Sequence, residues 1–211
     1  MKKHLITLAL TLSAGAAHAG ANIIDEFNIN QGPLTQSAPG AAITDNLAGV
    51  RTLSVEQLSS DFGAGDSRAR VINGVFLVSN DSGVDSEVKV IWNVAPFSIP
   101  AGSSDLSFLF KVLASDGNPT NVDITLDGNS IFSQAIPGNT VNQDVEFSVS
   151  SSIGSGGVLE MTLNGVPGWD LTIDAFGVSW KDPTTTTVPE PASMALVGLG
   201  MMGMMALRRR R

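Results

Sequence analysis

The sequence has no cysteine and no tyrosine, and its only two histidines, His4 and His18, lie within the first twenty residues. Without cysteine there can be no disulfide, no zinc–thiolate site and no thiol nucleophile. Beyond residue 20 the chain also lacks the imidazole on which histidine-dependent triads and many metal sites depend. Chemistry carried by carboxylates alone is what these absences leave open.

Positive charge is scarce in the interior of the chain. Between residues 20 and 187 there are six basic and nineteen acidic residues, a formal charge of −13, and the remaining basic residues lie at the two ends. A surface of this sign repels phosphate backbones. The composition therefore argues against a nucleic-acid partner.

The first nineteen residues have the pattern of a secretory signal peptide. Lys2 and Lys3 precede a short apolar run, and small residues then lead to Ala17-His18-Ala19. A basic start, an apolar core too short to span a membrane stably, and small side chains at positions −3 and −1 are the features of a cleaved leader. We expect a signal helix in residues 1–19 with cleavage after Ala19; the alternative is an uncleaved anchor or a buried helix.

Residues 20–181 are typical of short strands separated by turns. Gly, Ser, Asn, Asp and Pro recur about every ten residues, and apolar residues alternate with polar ones between them. Asn73-Gly74 and Asp127-Gly128 are favoured hairpin turns. We expect ten or eleven strands in two packed antiparallel sheets, an all-β, jelly-roll-like β-sandwich. A disordered body is the competing interpretation.

Three local predictions refine this fold. Residues 31–40 contain two prolines and two glycines and are predicted to form a loop. Residues 47–58 alternate in polarity and are predicted to form one strand, with Arg51 at its entrance. The apolar parity changes within residues 170–180, which predicts a β-bulge near residues 175–177.

The composition changes abruptly after Lys181. Residues 182–188 form a Thr/Pro linker, and residues 192–207 contain Ser193 as their only polar side chain. A helix of that length is about 24 Å long, against roughly 30 Å for a hydrocarbon core, so flanking charges would have to snorkel. We expect a single transmembrane helix with the final arginines on the cytoplasmic side; the alternative is a buried amphipathic helix.

The end of the chain resembles a known sorting signal. Val188-Pro189-Glu190-Pro191, the apolar segment and Arg208, Arg209, Arg210 and Arg211 together are similar to the PEP-CTERM signal of exported proteins from Gram-negative bacteria that make exopolysaccharide. The resemblance implies recognition by an exosortase, a membrane transpeptidase-like enzyme. It makes Pro189, Glu190 and Pro191 the sorting motif and the four arginines the membrane stop. Residues 189–211 are then the sorting signal, after the signal peptide (1–19), the sandwich (20–181) and the linker (182–188).

Two weaker resemblances concern the body. Residues 48–55, Ala-Gly-Val-Arg-Thr-Leu-Ser-Val, are similar to a Gly-Gly-x-Arg-x-Leu-x-Val pattern of sandwich domains that precede this signal. Residues 170–174, Asp-Leu-Thr-Ile-Asp, resemble the closing segment of carbohydrate-binding jelly rolls. Both support the fold more than they support any ligand.

Few side chains in the body are candidates for a site. Trp169, in a Gly-Val-Pro-Gly-Trp-Asp loop, is the one candidate sugar contact, with a buried cap as the alternative; Trp92 and Trp180 are expected in the core. No metal site or other cofactor is predicted outright. Carboxylates that could hold calcium are Asp81, Asp85 and Glu87 around one turn, and Asp25, Glu26 and Asp174 if the first and last strands are neighbours. None of them has the spacing of a calcium loop, and solvated turn acids are the simpler interpretation.

The sequence thus predicts a non-enzymatic protein that is exported through the inner membrane, held transiently by its tail, and delivered to the cell surface or the extracellular matrix. Its expected partners are an exosortase, the inner membrane and exopolysaccharide. One alternative is a carbohydrate-binding module with structural calcium. A second is a carboxylate-based glycoside hydrolase.

Overall fold

A computed structural model describes residues 19–61, 63, 65–149 and 153–182. The predicted signal helix, most of the linker, the sorting motif and the predicted transmembrane helix lie outside the described residues. Among the residues described, none forms a helical segment that could span a bilayer.

Strands separated by short turns make up the described part of the chain, together with one 3-10 helix at Ile153–Ser155. Thirteen strands occur in these residues: β1 (Ala19–Asp25), β2 (Gln31–Gln36), β3 (Ile43–Leu47), β4 (Arg51–Ser60), β5 (Ser67–Ile72), β6 (Val75–Asn80), β7 (Val84–Val94), β8 (Ser104–Ser115), β9 (Thr120–Leu126), β10 (Asn129–Ile136), β11 (Val141–Ser148), β12 (Gly157–Gly165) and β13 (Leu171–Lys181).

The strands form two antiparallel sheets. Sheet A has the order β11-β8-β13-β6-β5-β2, with β1 also paired to β13, and sheet B has the order β10-β9-β12-β7-β4-β3. The chain crosses repeatedly from one sheet to the other, and the consecutive strands β12 and β13 occupy interior positions of opposite sheets. The predicted all-β, jelly-roll-like sandwich is confirmed.

The core lies between the two sheets, because alternate residues of each strand point inward. In β7 and β12 buried and half-buried side chains alternate along most of the strand. Aromatic rings fill the centre: the Phe176 ring lies 4.9 Å from that of Phe110 and 5.2 Å from that of Trp92, measured between centroids. Trp92 and Trp180 are both buried, as the sequence predicts.

The two predicted hairpin turns are present. Asn73 and Gly74 both have positive φ, as do Asp127 and Gly128, the combination that a tight two-residue hairpin turn needs. They join β5 to β6 and β9 to β10.

The predicted loop at residues 31–40 is wrong in its first half, where β2 pairs with β5. β2 lies at the end of the strand order, where a proline can be accommodated, and Leu34 faces the core. The single strand predicted over residues 47–58 is also wrong, because residues 48–50 turn the chain between β3 and β4. Gly49 has a φ of 76° in this turn. These strands raise the number above the expected ten or eleven.

β13 is irregular close to the predicted bulge. Its pairing with β8 shifts register on both sides of Ile173, between Thr172 and Ala175. Asp174 is exposed there, and residues 175–180 are all buried. The irregularity therefore begins before residues 175–177 and has the expected result that both apolar parities of the strand are buried.

Candidate functional site

The Arg51 of the recognised sequence pattern is a buried anchor. Its Nη1 donates to Asp25 Oδ2 over 2.7 Å, and its other terminal nitrogen donates to the Ile29 carbonyl. Trp92 Nε1 donates to the same Oδ2 over 2.8 Å, and the Phe27 backbone N–H donates to Oδ1. Each of these contacts joins two residues of the domain. The cluster therefore holds β1, β4 and β7 together and offers no open face to a ligand.

Asp25 of this cluster also belongs to the first predicted set of calcium ligands, Asp25, Glu26 and Asp174. Asp25 is engaged by three donors, Asp174 is exposed on β13, and Glu26 accepts a hydrogen bond from Asn28. The expected neighbourhood of the first and last strands is real, since β1 pairs with β13. Yet the three carboxylates are not arranged as a metal site.

The second predicted set of calcium ligands is Asp81, Asp85 and Glu87, around the β6–β7 turn. Each of these carboxylates has different surroundings. Asp81 Oδ2 accepts the backbone N–H of Asp66, and Glu87 pairs with Lys89 over 3.0 Å. Asp85 lies between them, and burial raises the pKa of its carboxyl, with the Ser86 N–H opposing and the Asp61 charge adding to the rise. No group of three or more His, Cys, Asp or Glu side chains in the described ranges could hold a metal ion.

Trp169 is not available as a sugar platform. The residue is fully buried, and its indole N–H donates to the Ser86 carbonyl over 3.3 Å. A side chain at Gly165 would collide with the indole, since a Cβ there would lie 2.7 Å from its Cγ. The predicted ligand contact is therefore corrected: Trp169 is the buried cap that was its alternative.

A groove lies on the outer face of sheet A, across β2, β5, β6 and β13. Its volume is about 530 Å³, within the range of ordinary ligand sites. The polar side chains that line it are Thr35, Arg68, Arg70, Ser79, Asp170 and Thr172. They point away from the core because they alternate with buried residues of the same strands.

Strand register orders these side chains into two rows. Arg68 pairs with Thr35 on one side and with Ser79 on the other. Arg70 pairs with Leu77, which in turn pairs with Thr172. The groove thus has two guanidinium groups on β5 and one carboxylate, Asp170, two strands away.

The two arginines differ in their surroundings. Arg68 forms an ion pair with Asp66, and hydrogen bonds from Ser37 and Arg68 lower the pKa of that carboxyl. Arg70 is exposed and has no carboxylate partner within 4 Å among the described residues. It is a free guanidinium at the edge of the groove.

The carboxylate of the groove is half-buried. Burial raises the pKa of Asp170, the N–H of Asn80 donates to its Oδ1 over 2.8 Å and opposes the rise, and the charge of Asp116 adds to it. The carboxylate oxygens of Asp170 accept hydrogen bonds and repel anions.

The sequence contains a signal for the two arginines that was missed. In Ser-Arg-Ala-Arg-Val-Ile the residues Ser67, Ala69 and Val71 are buried. Arg68 and Arg70 therefore share the outer face of one strand, as residues two apart do. Their proximity to Asp170 and Thr172 depends on pairing with distant strands and has no local signature.

The two ends of the described chain lie side by side. β1 runs antiparallel to β13, with Ala19 opposite Lys181 and Gly20 opposite Trp180. The predicted cleavage point of the signal peptide and the start of the linker are therefore neighbours on sheet A. A side chain at position 20 would collide with the Trp180 indole, which occupies the place of a Cβ there.

These observations define a folded, antiparallel β-sandwich whose two ends leave from the same place. The C-terminal residues 187–211 match the family model of the PEP-CTERM protein-sorting motif. The chain thus carries the PEP-CTERM sorting motif, and the sorting signal identified from the sequence is confirmed. The motif supports export and sorting by an exosortase.

Three solved structures are similar to the chain at low identity. A CBM4 structure is 14% identical with a TM-score of 0.34, covering 55% of this chain and 78% of the other. The family 11 carbohydrate-binding module of Clostridium thermocellum, in complex with a β-1,3-1,4-mixed-linked tetrasaccharide, is 11% identical with a TM-score of 0.34, covering 79% and 97%. The structure of PfGH50B is 13% identical with a TM-score of 0.32, covering 74% and 24%. At such scores these likenesses carry no argument about ligand or activity. No curated protein matches the chain.

Proposed function

We propose that this protein is a passive cargo of an exosortase, released from the inner membrane to the cell surface or the exopolysaccharide matrix, where its β-sandwich acts without catalysis. The observation that carries the proposal is the sorting motif at residues 187–211, which follows the last strand of the folded domain after a short stretch of chain. The motif is a signal that a separate enzyme, the exosortase, would recognise. In this proposal Pro189, Glu190 and Pro191 are recognition residues and Arg208 to Arg211 the membrane stop.

The layout of the chain supports this order of events. The last strand ends at Lys181, and the linker of residues 182–188 can reach at most about 25 Å. The sandwich would therefore remain close to the membrane until the tail is processed. Since β1 begins beside the end of β13, the leader and the tail would be attached to the domain at neighbouring positions on sheet A.

The non-enzymatic part of the proposal is supported by the composition of the groove. Glycoside hydrolysis by carboxylates commonly needs two of them on either side of the scissile bond. Asp170 is the one carboxylate that lines this groove. Turnover of a polysaccharide that is abolished by Asp170→Asn would favour the hydrolase alternative instead.

The experiment that tests sorting uses the full chain in a host that has its exosortase. Wild type is compared with Glu190→Ala in the motif, and with Glu160→Ala on β12 as a control of the same chemistry outside it. We expect wild type and the control at the cell surface and Glu190→Ala retained in the inner membrane. Equal distribution of all three proteins, or an unchanged distribution in a strain lacking the exosortase, would contradict the proposal.

A further inference from the structure

We propose that the groove on sheet A binds a carboxylated sugar unit, a hexuronate of an acidic polysaccharide, with Arg70 and Arg68 on its carboxylate and Asp170, Ser79 and Thr172 on its hydroxyl groups. The folded domain would bind this ligand independently of sorting by the exosortase.

Arg70 is exposed, lines the groove and is available to a ligand. Six basic residues lie in the described chain, and Arg51, Arg68, Lys89 and Lys181 each have a carboxylate within 4 Å. Arg70 and Lys111 have none among the described residues, and of these two only Arg70 lines the groove. Among residues 20–187, whose formal charge is −13, an exposed arginine without a carboxylate partner is the exception.

The two ends of the groove differ in their chemistry. A guanidinium matches a carboxylate through two parallel hydrogen bonds, which fixes the ligand's orientation. At the other end, Asp170 accepts hydrogen bonds, while the hydroxyls of Ser79 and Thr172 both donate and accept. The ligand that fits carries a carboxylate on one side and several hydroxyl groups on the other.

The spacing between the arginines and the Asp170 end of the groove suits a sugar unit. Arg68 and Arg70 are two residues apart on β5, which is about 6.6 Å along a strand. Asp170 and Thr172 lie two strands away, about 10 Å across the sheet. With a volume of about 530 Å³, the groove accommodates a sugar unit between its charged ends and is open enough for the rest of a polymer.

A neutral sugar fits this groove poorly. Sugar faces commonly stack on exposed aromatic rings, and no aromatic side chain lines the groove. The three tryptophans of the chain, Trp92, Trp169 and Trp180, are buried. The carboxylate of an acidic sugar supplies the interaction that stacking would otherwise provide.

A bare anion also fits poorly, because carboxylates flank the arginines. Asp66 pairs with Arg68, and Asp170, the residue before β13, lines the groove. These carboxylates repel a phosphate dianion more strongly than they repel the single carboxylate of one sugar unit. Binding by a hexuronate should therefore depend on the local contacts and weaken as salt is added.

The test uses the full chain purified in detergent and labelled oligomers of galacturonate, mannuronate and glucuronate, with binding measured by titration. We expect at least one oligomer to bind, and its methyl ester, in which the same sugar has a masked carboxylate, to bind at least tenfold more weakly. Arg70→Gln should reduce binding at least tenfold. Lys111→Gln, which removes another unpaired cation of sheet A outside the groove, should change it less than twofold.

Several results would overturn the proposal. They are an absence of binding by all three oligomers, equal binding of the methyl ester, or equal losses in Arg70→Gln and Lys111→Gln, which would indicate charge attraction without a site. Displacement of the oligomer by inorganic phosphate as effectively as by the free uronate would indicate a small-anion site instead. Thermal unfolding of each variant shows that its fold is retained. Because purified protein is used, none of these results depends on exosortase processing.

Discussion

The guanidinium of Arg51 is buried against the carboxylate of Asp25, with Nη1 2.7 Å from Oδ2. Asp25 ends β1 in sheet A and Arg51 begins β4 in sheet B, so the pair joins the two sheets beside the start of the domain. Trp92 donates to the same oxygen from β7. Arg51, the arginine of the sequence pattern at residues 48–55, thus has a structural role in joining the two sheets.

Breaking this pair should destabilise the domain strongly. Arg51→Ala leaves Asp25 without its ionic partner in the interior, which typically costs about 3–5 kcal/mol. Trp92→Phe removes one donor and keeps the other two, so a cost of about 1–3 kcal/mol is expected. Urea unfolding of the purified variants measures both.

The matched control is Lys89→Gln, which removes an ion pair with Glu87 at a half-exposed position. It should cost about 1 kcal/mol or less, because exposed pairs contribute little. If Arg51→Ala were no more destabilising than Lys89→Gln, the Arg51–Asp25 pair would not contribute to the free energy of unfolding as described.

Close contact between β1 and β13 requires a glycine at position 177. A Cβ there would lie 2.5 Å from the Asn22 carbonyl oxygen and 2.9 Å from the Ile23 Cα, both in the backbone of β1. Gly177→Ala should therefore push the strands apart at a cost of about 1–3 kcal/mol. Thermal unfolding and protease sensitivity of the N-terminal strand measure the effect.

Gly40→Ala is the comparison, because a Cβ at that position would be 3.6 Å from its nearest neighbour, the Gln36 side chain. It should be neutral or slightly stabilising. Similar melting temperatures for the two alanine variants would show that β1 does not pack on β13 as described.

Trp169 should matter for stability and leave glycan binding unchanged. Trp169→Ala removes a fully buried ring and is expected to cost about 3–5 kcal/mol. Trp169→Phe keeps most of the volume and loses the bond to Ser86, so it should fold and bind uronate oligomers as wild type does. A stable Trp169→Phe protein that no longer binds them would restore Trp169 as a ligand contact.

The pH dependence of stability should reflect the raised pKa of Asp170 and Asp85, each caused first by burial. A carboxyl whose pKa is higher in the folded state binds more protons there than in the unfolded chain. Stability is therefore lost as pH rises from about 4, the ordinary value, through the folded pKa.

Asp170→Asn and Asp85→Asn remove this loss. The unfolding free energy of each variant relative to wild type should increase between pH 3 and pH 7, measured by urea titration at constant ionic strength. Variant and wild-type profiles that stay parallel over this range would contradict the assignment.

Local features could be predicted from the sequence because their causes are local. Asn73-Gly74 and Asp127-Gly128 tolerate positive φ, so both hairpins were found. The sequence does not predict β2, because Gly32 and Pro33 are typical of a loop. Its strand conformation comes from pairing with β5, more than thirty residues further along the chain.

Long-range partners could not be predicted. Arg51 was marked by its motif, but nothing in the sequence connects it with Asp25, 26 residues earlier. The groove likewise combines Arg70 of β5 with Thr172 of β13. Such contacts depend on which strands become neighbours, and alternation within a strand fixes only the face to which a side chain points.

The most direct test of the account is the intact mass of the protein isolated from the cell surface of a strain that has its exosortase. We predict a chain that begins at Gly20 and lacks the apolar segment and arginines of residues 192–211. A surface protein that retains residues 192–211 would contradict processing at the sorting motif and leave a simple tail anchor.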